Sequence, residues 1–451
     1  MPTLIENLGD FVYNLSFESL PQEVTETIKT SILHHLHTGF SGVGERESQI
    51  ARSLLKEYFS DNGCCTVLGE EQKFSITPAV FANAVMMHSV QQEDTYKGLH
   101  PGPHTIPSAL ALAESDSLAG KDILTAIAAG YEVNLHVGTR FAKFTSPRGW
   151  RGTTIFGVLG SAATSAHLLA LDSDETIGAL ANAINYASGL MQCWLEGTSE
   201  WLFTSGLAAK NGVIAALLAQ KGTEGARESF EGDRGYIKTY CGIDSQESAV
   251  DDIIADIGNS LGKDYVTPHI LFKPHAVITT ILPVIHNVIS LVRQDDIAPG
   301  NVEELRITAG SRVTDGALAD SILDFGPYTT KTQAFKSLPC AAGIAVNFRE
   351  VSADTAGHFS DSKVANIANR VSVEEDSSAE GFYNTVDIIT ADGEKHQIEG
   401  DIFPTVTRTE AKVNLEKSAG KYLSPEAVED IIRIIEDFEE YSAEDLKLTP
   451  S

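Results

Sequence analysis

Hydrophobic residues in the first 260 residues recur with the period of an α-helix. Residues 22–38 are one example. Ile28, Ile32 and Leu36 fall close to every fourth position, which predicts a helix with one buried stripe. Later stretches share this pattern and are rich in Ala, Gly and Ser. Small residues let helix axes approach closely, so these stretches predict a compact all-helical core. They are residues 121–138, 153–171, 174–190 and 205–220.

The pattern changes near Pro268, where strand-like and helix-like stretches begin to alternate. Residues 302–310 predict one strand. Residues 384–399 predict two strands joined at Asp392-Gly393, a dipeptide that is a strong signal for a hairpin. Helices are predicted in the same region at residues 274–293, 337–347 and 361–370.

This change of pattern predicts two domains. Residues 1–264 are expected to form a large all-helical domain, and residues 265–402 a smaller α+β lid domain. The chain returns to helix at residues 424–438, with Ser424 at the N-cap. We expect this acidic helix to pack on the first domain, so that residues 403–451 complete it. The predicted fold class is mainly α with an α+β lid.

Composition and charge narrow the possible partners. The 451 residues carry 62 acidic and 33 basic side chains, for a net charge of -29. Such a field repels phosphate, which argues against a nucleic-acid or anionic-membrane partner. No apolar run approaches the ~20 residues of a membrane span. The five cysteines show no C-x-x-C spacing, which favours reduced thiols and a cytoplasmic location.

The candidate chemistry is concentrated in residues 87–110, between apolar helical runs at 78–87 and 106–113. A loop that leaves a buried helix, carries acid, hydroxyl and imidazole groups and returns to a helix is typical of an active-site wall. A polar surface loop is an equally good interpretation of the residue types alone. The polar residues of the stretch are Glu93, Asp94, Thr95, Lys97, His100 and His104.

Three other segments carry polar groups that could serve a site. Arg148 and Arg151 precede a predicted helix, where paired arginines make a corner for carboxylate or phosphate, or alternatively form salt bridges. Residues 196–201 could face a pocket or cap the next helix. Lys273 lies at the hinge into the second domain, where clefts usually form, although it could equally be solvated.

Several common catalytic signatures are absent. The chain has no G-x-x-x-x-G-K-[ST], G-x-S-x-G or H-E-x-x-H sequence and no G-x-G-x-x-G after a strand. His34, His35 and His37 lie too close together to share one helical face as metal ligands. We therefore expect acid–base chemistry without a cofactor or a metal.

Several segments, taken in order, resemble the MmgE/PrpD family, the 2-methylcitrate dehydratase-like proteins that include cis-aconitate decarboxylase and iminodisuccinate epimerase. The resemblance implies a helical domain with an α+β lid, a homodimer, and metal-free chemistry on di- or tricarboxylates bound between the domains. The segments are H-S-V-Q-Q-E-D-T with His100-Pro101, R-G-W-R-G-T-T-I-F-G-V-L-G-S-A-A, G-L-A-A-K-N-G-V-I-A-A-L-L-A, F-K-P, and T-K-T-Q-A-F-K-S-L-P-C.

By position, Thr95 and His100 match the family's loop threonine and histidine, and Asp94 matches its second aspartate. Lys273 matches the lysine of the hinge. The chain departs from the family at four places, and these departures argue against decarboxylation of cis-aconitate. Gln91 stands for an aspartate, Arg151 for a histidine, Trp201 or Leu202 for a lysine, and Cys340 for a tyrosine.

The function predicted from the resemblance is a cofactor-independent lyase, a dehydratase of a small di- or tricarboxylate. The alternatives are an epimerase or isomerase, a decarboxylase of a related carboxylate, and a binding paralogue without turnover. His100, rather than His104, is expected to move the proton, because imidazole titrates near neutral pH and His100 matches the family's loop. Glu93 or Asp94 would assist at the departing hydroxyl, Thr95 would hydrogen-bond the substrate, and Arg148, Arg151 and Lys273 would hold its carboxylates. The further substrate-binding candidates are Gln91, His104, Trp201, Lys336 and Cys340.

Overall fold

The computed structural model describes residues 2–59, 63–243, 248–316 and 318–450. Within these ranges the first part of the chain is almost entirely helical. Its helices are α1 (Leu4–Asn14), α2 (Gln22–Gly42), α3 (Arg46–Tyr58), α4 (Ile76–His88), α5 (Gly102–Asp116), α6 (Gly120–Thr145), α7 (Gly152–Leu168), α8 (Ser173–Ile184), α9 (Gln192–Glu196), α10 (Glu200–Gln220) and α11 (Ser248–Ser260).

The small residues of the predicted core helices lie where helix axes cross. Helix α6 packs along α7, and α7 packs along α10. At the first crossing Gly130 faces Gly160, and a Cβ on Gly130 would lie 2.7 Å from the carbonyl oxygen of Gly160. Larger side chains would separate the helices, so this composition permits the close packing that the sequence predicts. The all-helical core is confirmed.

Helix α10 is long and apolar enough to cross a membrane by length and composition alone. In the structure it packs against α4, α7 and α8. Its buried side chains include Trp201, Val213 and Ala216. A core helix of a large helical domain meets the same criterion, and the packing of α10 is that of a core helix.

Helices and strands alternate after α11, as predicted. A four-stranded sheet has the order β4-β3-β5-β6, with β3 antiparallel to β5, β5 antiparallel to β6, and β3 parallel to β4. The predicted hairpin joins β5 to β6, and Gly393 takes the positive φ of 85° that the turn requires. The elements, with the short pair β1 and β2, are β1 (Asp94–Thr95), β2 (Leu271–Phe272), α12 (Leu282–Gln294), β3 (Val302–Ala309), α13 (Ser311–Thr314), α14 (Ala319–Ile322), α15 (Lys331–Lys336), α16 (Leu338–Phe348), α17 (Ala353–Ala356), α18 (Ser362–Ala368), β4 (Val371–Glu375), β5 (Asn384–Thr390) and β6 (Lys395–Gly400).

The helix predicted at residues 274–293 begins only at Leu282. Residues 274–281 are irregular because their backbone donors bind other segments. The amide of Ala276 donates to the carbonyl of Val351 at 2.8 Å, and the amide of Ile278 donates to that of Phe335 at 3.1 Å. These bonds attach the segment that follows Lys273 to two parts of the chain that are distant in sequence.

The C-terminal segment returns to the helical region. It forms α19 (Arg408–Ala419) and α20 (Pro425–Glu436), and both pack against α2. The ammonium group of Lys29 on α2 lies 2.7 Å from the carboxylate of Glu439. The mainly α fold with a smaller α+β part is confirmed, and the boundaries at residues 264 and 402 remain a prediction.

The contact between α6 and the C-terminal segment gives a test of this packing. The amide of Gly120 donates to the carbonyl of Tyr441 at 2.8 Å, and a Cβ on Gly120 would overlap the carbonyl oxygen of Phe438. We expect Gly120→Ala to lower the free energy of unfolding by about 1–3 kcal/mol in urea, since backbone must shift to make room. Gly300→Ala is the control, because a Cβ there meets nothing within 4 Å. Equal stability of the two variants would contradict this packing.

Candidate active site

Strands β1 and β2 bring the candidate loop to the hinge. Asp94 pairs with Phe272 and Thr95 with Leu271 in antiparallel register. This pairing places Glu93 beside Lys273, whose ammonium nitrogen lies 2.7 Å from Oε1 of Glu93. Both side chains are almost completely buried, at 0% and 1% exposed. The sequence-predicted acid and lysine therefore form one buried ion pair.

Two imidazoles complete the surroundings of Glu93. Nδ1 of His88 lies 3.5 Å from one carboxylate oxygen, and Nδ1 of His100 lies 3.4 Å from the other. Burial alone would raise the pKa of Glu93, but the charges of Lys273, His88 and His100 hold it well below its usual value. Burial lowers the pKa of Lys273, and Glu93 opposes that shift. Glu93 is thus ionised and serves as the counterion of Lys273.

His100 is held in one tautomer. Its Nδ1 lies 2.5 Å from the backbone carbonyl of Asp94, and since a carbonyl only accepts, this nitrogen carries the proton. Burial lowers the pKa of His100, so the ring is neutral at neutral pH and Nε2 keeps its lone pair. The side chain retains 12% exposure, whereas that of Glu93 retains 1%. His100 therefore presents an accessible base.

The carboxylate of Asp94 is engaged within the protein. It accepts from the hydroxyl of Tyr131 at 2.6 Å and from the amide of Gly102 at 3.2 Å, and Nε2 of His35 lies 3.5 Å away. All of these groups are buried. Asp94 therefore positions the loop and, through its carbonyl, His100. Glu93 is left as the acid that faces Lys273 and the two imidazoles.

Arg151 approaches the same group from the N-cap of α7. Its Nη2 donates to Nε2 of His88 at 2.6 Å, and its Nη1 donates to the carbonyl of Trp201 at 3.1 Å. His88 therefore carries its proton on Nδ1, towards Glu93, and burial lowers its pKa to about 4. Burial also lowers the pKa of Arg151 to about 10, which leaves the guanidinium charged at neutral pH. His88 links Arg151 to Glu93.

Two indoles lie against this guanidinium. The guanidinium carbon of Arg151 lies 5.2 Å from the ring centroid of Trp201 and 5.9 Å from that of Trp194. The ammonium of Lys336 also lies 5.9 Å from the centroid of Trp194. The indole nitrogen of Trp201 donates to the hydroxyl of Thr332 at 3.2 Å. Helix α15 thus closes this side of the site.

Comparison with the sequences of known proteins identifies the family of this chain. A sequence model of the MmgE/PrpD N-terminal domain matches residues 6–248, more than half of the chain. The chain belongs to the MmgE/PrpD family. The resemblance drawn from the motifs is confirmed.

Curated relatives extend the comparison. The chain is 28% identical over 283 residues to cis-aconitate decarboxylase-like protein oryM of Aspergillus oryzae, covering 60% of this chain and 57% of that protein. It is 31% identical over 248 residues to human cis-aconitate decarboxylase, covering 53% and 51%. Cis-aconitate decarboxylase of Aspergillus terreus is 25% identical over 259 residues, covering 54% and 52%. The matches span about half the length of these relatives.

The residues at which the chain departs from the family pattern differ in their surroundings. Arg151 and Trp201 belong to the buried group described above. Gln91 is buried in the left-handed region at φ 56°, and within the described residues its amide nitrogen has no hydrogen-bond partner. Cys340 lies on α16 and is buried near Tyr328, and burial raises the pKa of its thiol to about 12. A substrate-binding role for these four residues remains a prediction.

Arg148 is not brought to the site. It is exposed, and its guanidinium packs against Gly242, beside Cys241, while Arg151 points inward. The turn Ser146–Arg148 and the left-handed Gly149, at φ 84°, separate the directions of the two arginines. Among the described residues Arg148 makes no contact with the buried group around Glu93, and its role towards a substrate carboxylate stays a prediction.

His104 and Thr95 are engaged in contacts within the protein. Nδ1 of His104 lies 3.1 Å from the carbonyl of His100, and Nε2 lies 3.0 Å from the hydroxyl of Ser205. Both ring nitrogens of His104 thus have partners within the protein, and its role in binding a substrate stays a prediction. The hydroxyl of Thr95 lies 3.4 Å from that of Thr279. Its role towards a substrate stays a prediction.

Sequence reasoning missed His88, Trp194 and Thr332. His88 opens the H-S-V-Q-Q-E-D-T segment, but as the last residue of an apolar helix it looks like a core residue. Trp194 lies on the five-residue helix α9, which is too short for a periodic signal. Among the residues whose structure is described, no group of three or more His, Cys, Asp or Glu side chains is arranged to hold a metal ion.

Proposed function

We propose that this chain is a cofactor-independent lyase that removes water from a small molecule with two or three carboxylates. The observation that carries the proposal is that His100, held in one tautomer by the carbonyl of Asp94, lies beside the buried ion pair of Glu93 and Lys273. His100 can accept a proton and Lys273 can donate one, and both lie close to the carboxylate of Glu93. Such a pair suits an elimination, in which one proton is taken from carbon and another is given to the departing hydroxyl.

The proposed reaction begins at His100. Its Nε2 takes a proton from the carbon next to a substrate carboxylate, and the electron pair of that bond forms the new double bond as the hydroxyl leaves. Lys273 gives a proton to the departing hydroxyl, so that water is the leaving group. Burial lowers the pKa of Lys273, which makes it a better acid than a solvated lysine.

Glu93 connects the two ends of this proton transfer. It lies 2.7 Å from Nζ of Lys273 and 3.4 Å from Nδ1 of His100. After the elimination His100 carries a positive charge and Lys273 is neutral. The carboxylate of Glu93, which stabilises the ammonium of Lys273 before the reaction, then stabilises the imidazolium of His100. Return of the proton from His100 to Lys273 restores the site.

Decarboxylation is the second candidate, favoured by the names of the curated relatives. A decarboxylase must deliver a proton to the carbon that loses carbon dioxide. Burial lowers the pKa of His100, which makes it a base rather than an acid at neutral pH. Dehydration therefore comes first. Epimerisation would use the same proton abstraction without loss of a group.

Mass spectrometry of the products in deuterated water separates these reactions. We would incubate purified protein with malate, citrate, 2-methylcitrate and cis-aconitate. Loss of water from a hydroxy acid supports the proposal, and loss of carbon dioxide from cis-aconitate replaces it with the second candidate. Deuterium uptake by an acid that loses neither water nor carbon dioxide indicates an epimerase or isomerase. Acids that raise the Tm of the protein and are never converted indicate a binding paralogue and overturn the proposal.

The partners expected from the sequence, a small carboxylate and a second copy of the chain, remain predictions, as does a cytoplasmic location. Light scattering tests the second copy directly: a mass of twice the chain is expected, and a strictly monomeric mass contradicts it.

A further inference from the structure

Two buried cations in the site lack an acidic partner. Arg151 is 4% exposed and Lys336 is 2% exposed. Over the described ranges neither side chain forms an ion pair within 4.0 Å, and Lys336 makes no hydrogen bond. The acid with the largest electrostatic effect on the pKa of Lys336 is Asp324, which raises it but lies more than 4.0 Å away. Other buried lysines of the chain differ in this respect.

Lys273 and Lys29 show the usual arrangement. Lys273 lies 2.7 Å from Glu93, and Lys29 lies 2.7 Å from Glu439. A buried cation without a counterion is strongly unfavourable, because it loses its hydration and gains no opposite charge. Contact with an indole face offsets only part of that loss. The unpaired state of Arg151 and Lys336 therefore points to an anion that is absent from the chain itself.

The two cations share one aromatic wall. Each lies 5.9 Å from the centroid of Trp194, so their separation is at most the sum of those two distances. The thiol of Cys193 is within electrostatic reach of both. An anion that packs against this indole therefore lies close to at least one of the two cations.

This group adjoins the proposed reacting groups. Nη2 of Arg151 lies 2.6 Å from one nitrogen of His88, and the other nitrogen of His88 faces Glu93 at 3.5 Å. One imidazole ring thus separates Arg151 from the Glu93–Lys273 pair. A ligand that reaches both must be compact, with an anionic group only a few bonds from its reacting carbon.

We propose that Arg151, Lys336 and Trp194 form an anion subsite for a substrate carboxylate that takes no part in the reaction. The inference rests on the proposed function and gives its substrate class: a compact polycarboxylate with one carboxylate remote from the reacting carbon. Trp201 forms the second wall of the subsite. Arg151 and Trp201 stand at two of the positions where the chain departs from the family pattern.

Binding and stability of Lys336→Met test the subsite without any need for turnover. The probe is citrate, titrated at constant ionic strength and followed by tryptophan fluorescence, with Trp194→Phe to assign the signal. Lys336→Met is expected to weaken citrate binding by at least about 10-fold, the usual effect of losing one charged hydrogen bond. Because it removes an unpaired buried charge, it should also raise Tm without ligand and abolish most of the rise in Tm that citrate causes.

Lys331→Met is the matched control, since Lys331 lies on the same helix and pairs with Glu45 at 2.7 Å. It is expected to change citrate affinity less than about 3-fold. A purely structural Lys336 would instead lower Tm on replacement and leave affinity unchanged, which overturns the subsite. Failure of citrate, 2-methylcitrate and cis-aconitate to bind the wild type also overturns it.

The two proposals fail separately. Citrate binding that depends on Lys336, without conversion of any hydroxy acid, keeps the subsite and refutes the lyase. If a hydroxy acid is converted and its KM is the same for the wild type and Lys336→Met, the subsite is refuted and the lyase proposal stands. If Lys336→Met does not fold, Arg151→Lys gives the second test, because a single ammonium cannot reproduce the two-pronged contact of guanidinium and should raise KM at an unchanged fold.

Discussion

Replacing His100 by asparagine is expected to lower kcat by about 10²–10⁴-fold, the usual range for the loss of a general base. The reason is the fixed tautomer: Nδ1 donates to the carbonyl of Asp94, so Nε2 is the nitrogen that can accept a proton. An asparagine amide can keep the first contact but offers no base. Steady-state kinetics on the substrate found in the product screen give the measurement.

The pH profile of the wild type provides an independent check. Burial lowers the pKa of His100 below its ordinary 6.5, against the opposing charges of Glu93 and Asp94 and together with that of Lys273. A base works while it is deprotonated, so kcat/KM should stay high above pH 6.5 and fall only as the pH drops through the lowered pKa. In His100→Asn this acid limb should disappear.

The control is His358→Asn. His358 is about half exposed and pairs with Asp361 at 3.0 Å on the surface. It should keep the wild-type rate. A fully active His100→Asn variant would show that Lys273 or Glu93 carries the proton, and the loop would then serve only to position them.

Lys273→Met is expected to lower the free energy of unfolding by about 3–5 kcal/mol and to abolish measurable turnover. Removing one partner of a buried pair leaves the other charge, here Glu93, without compensation. Chemical denaturation followed by circular dichroism measures the loss.

The double variant Lys273→Met with Glu93→Gln separates stability from chemistry. It should recover much of the lost stability, since no unpaired charge remains, while activity stays absent. The partly exposed pair of Lys331 and Glu45 is the comparison, because Lys331→Met should cost at most about 1 kcal/mol there. A single variant Lys273→Met as stable as the wild type would mean that the ion pair contributes little in this site.

Much of the helical architecture follows from local patterns. Ile28, Ile32 and Leu36 of α2 are buried as their spacing predicts. The prediction of a single buried stripe is nevertheless wrong, because every residue from 28 to 36 is buried and neighbouring elements cover this helix on all sides. Helices without a wide apolar stripe carry a weaker sequence signal. Helix α19 buries only three apolar residues, and it is held in place by α2, which is distant in sequence. Strand β4 pairs in parallel with β3 and buries little beyond Val371.

The site could be predicted only in part. The residue types of Glu93, His100 and Lys273 indicated chemistry, but the contact among them depends on β1 and β2, two-residue strands with no alternation to detect. The different surroundings of Arg148 and Arg151 depend on one glycine turn between them. The contacts of Arg151 and Lys336 with Trp194 join three elements far apart in sequence, so no local pattern reports them.

The most direct test of the central claim, that His100 is a base acting beside a substrate carboxylate, is exchange of carbon-bound hydrogen in deuterated water. The substrate or product found in the screen would be incubated with the wild type and with His100→Asn, and deuterium uptake next to the carboxylate would be followed by mass spectrometry. The wild type should exchange this position at a rate comparable to turnover, and His100→Asn should exchange it at least about 10²-fold more slowly. Equal exchange by the two proteins would contradict the account.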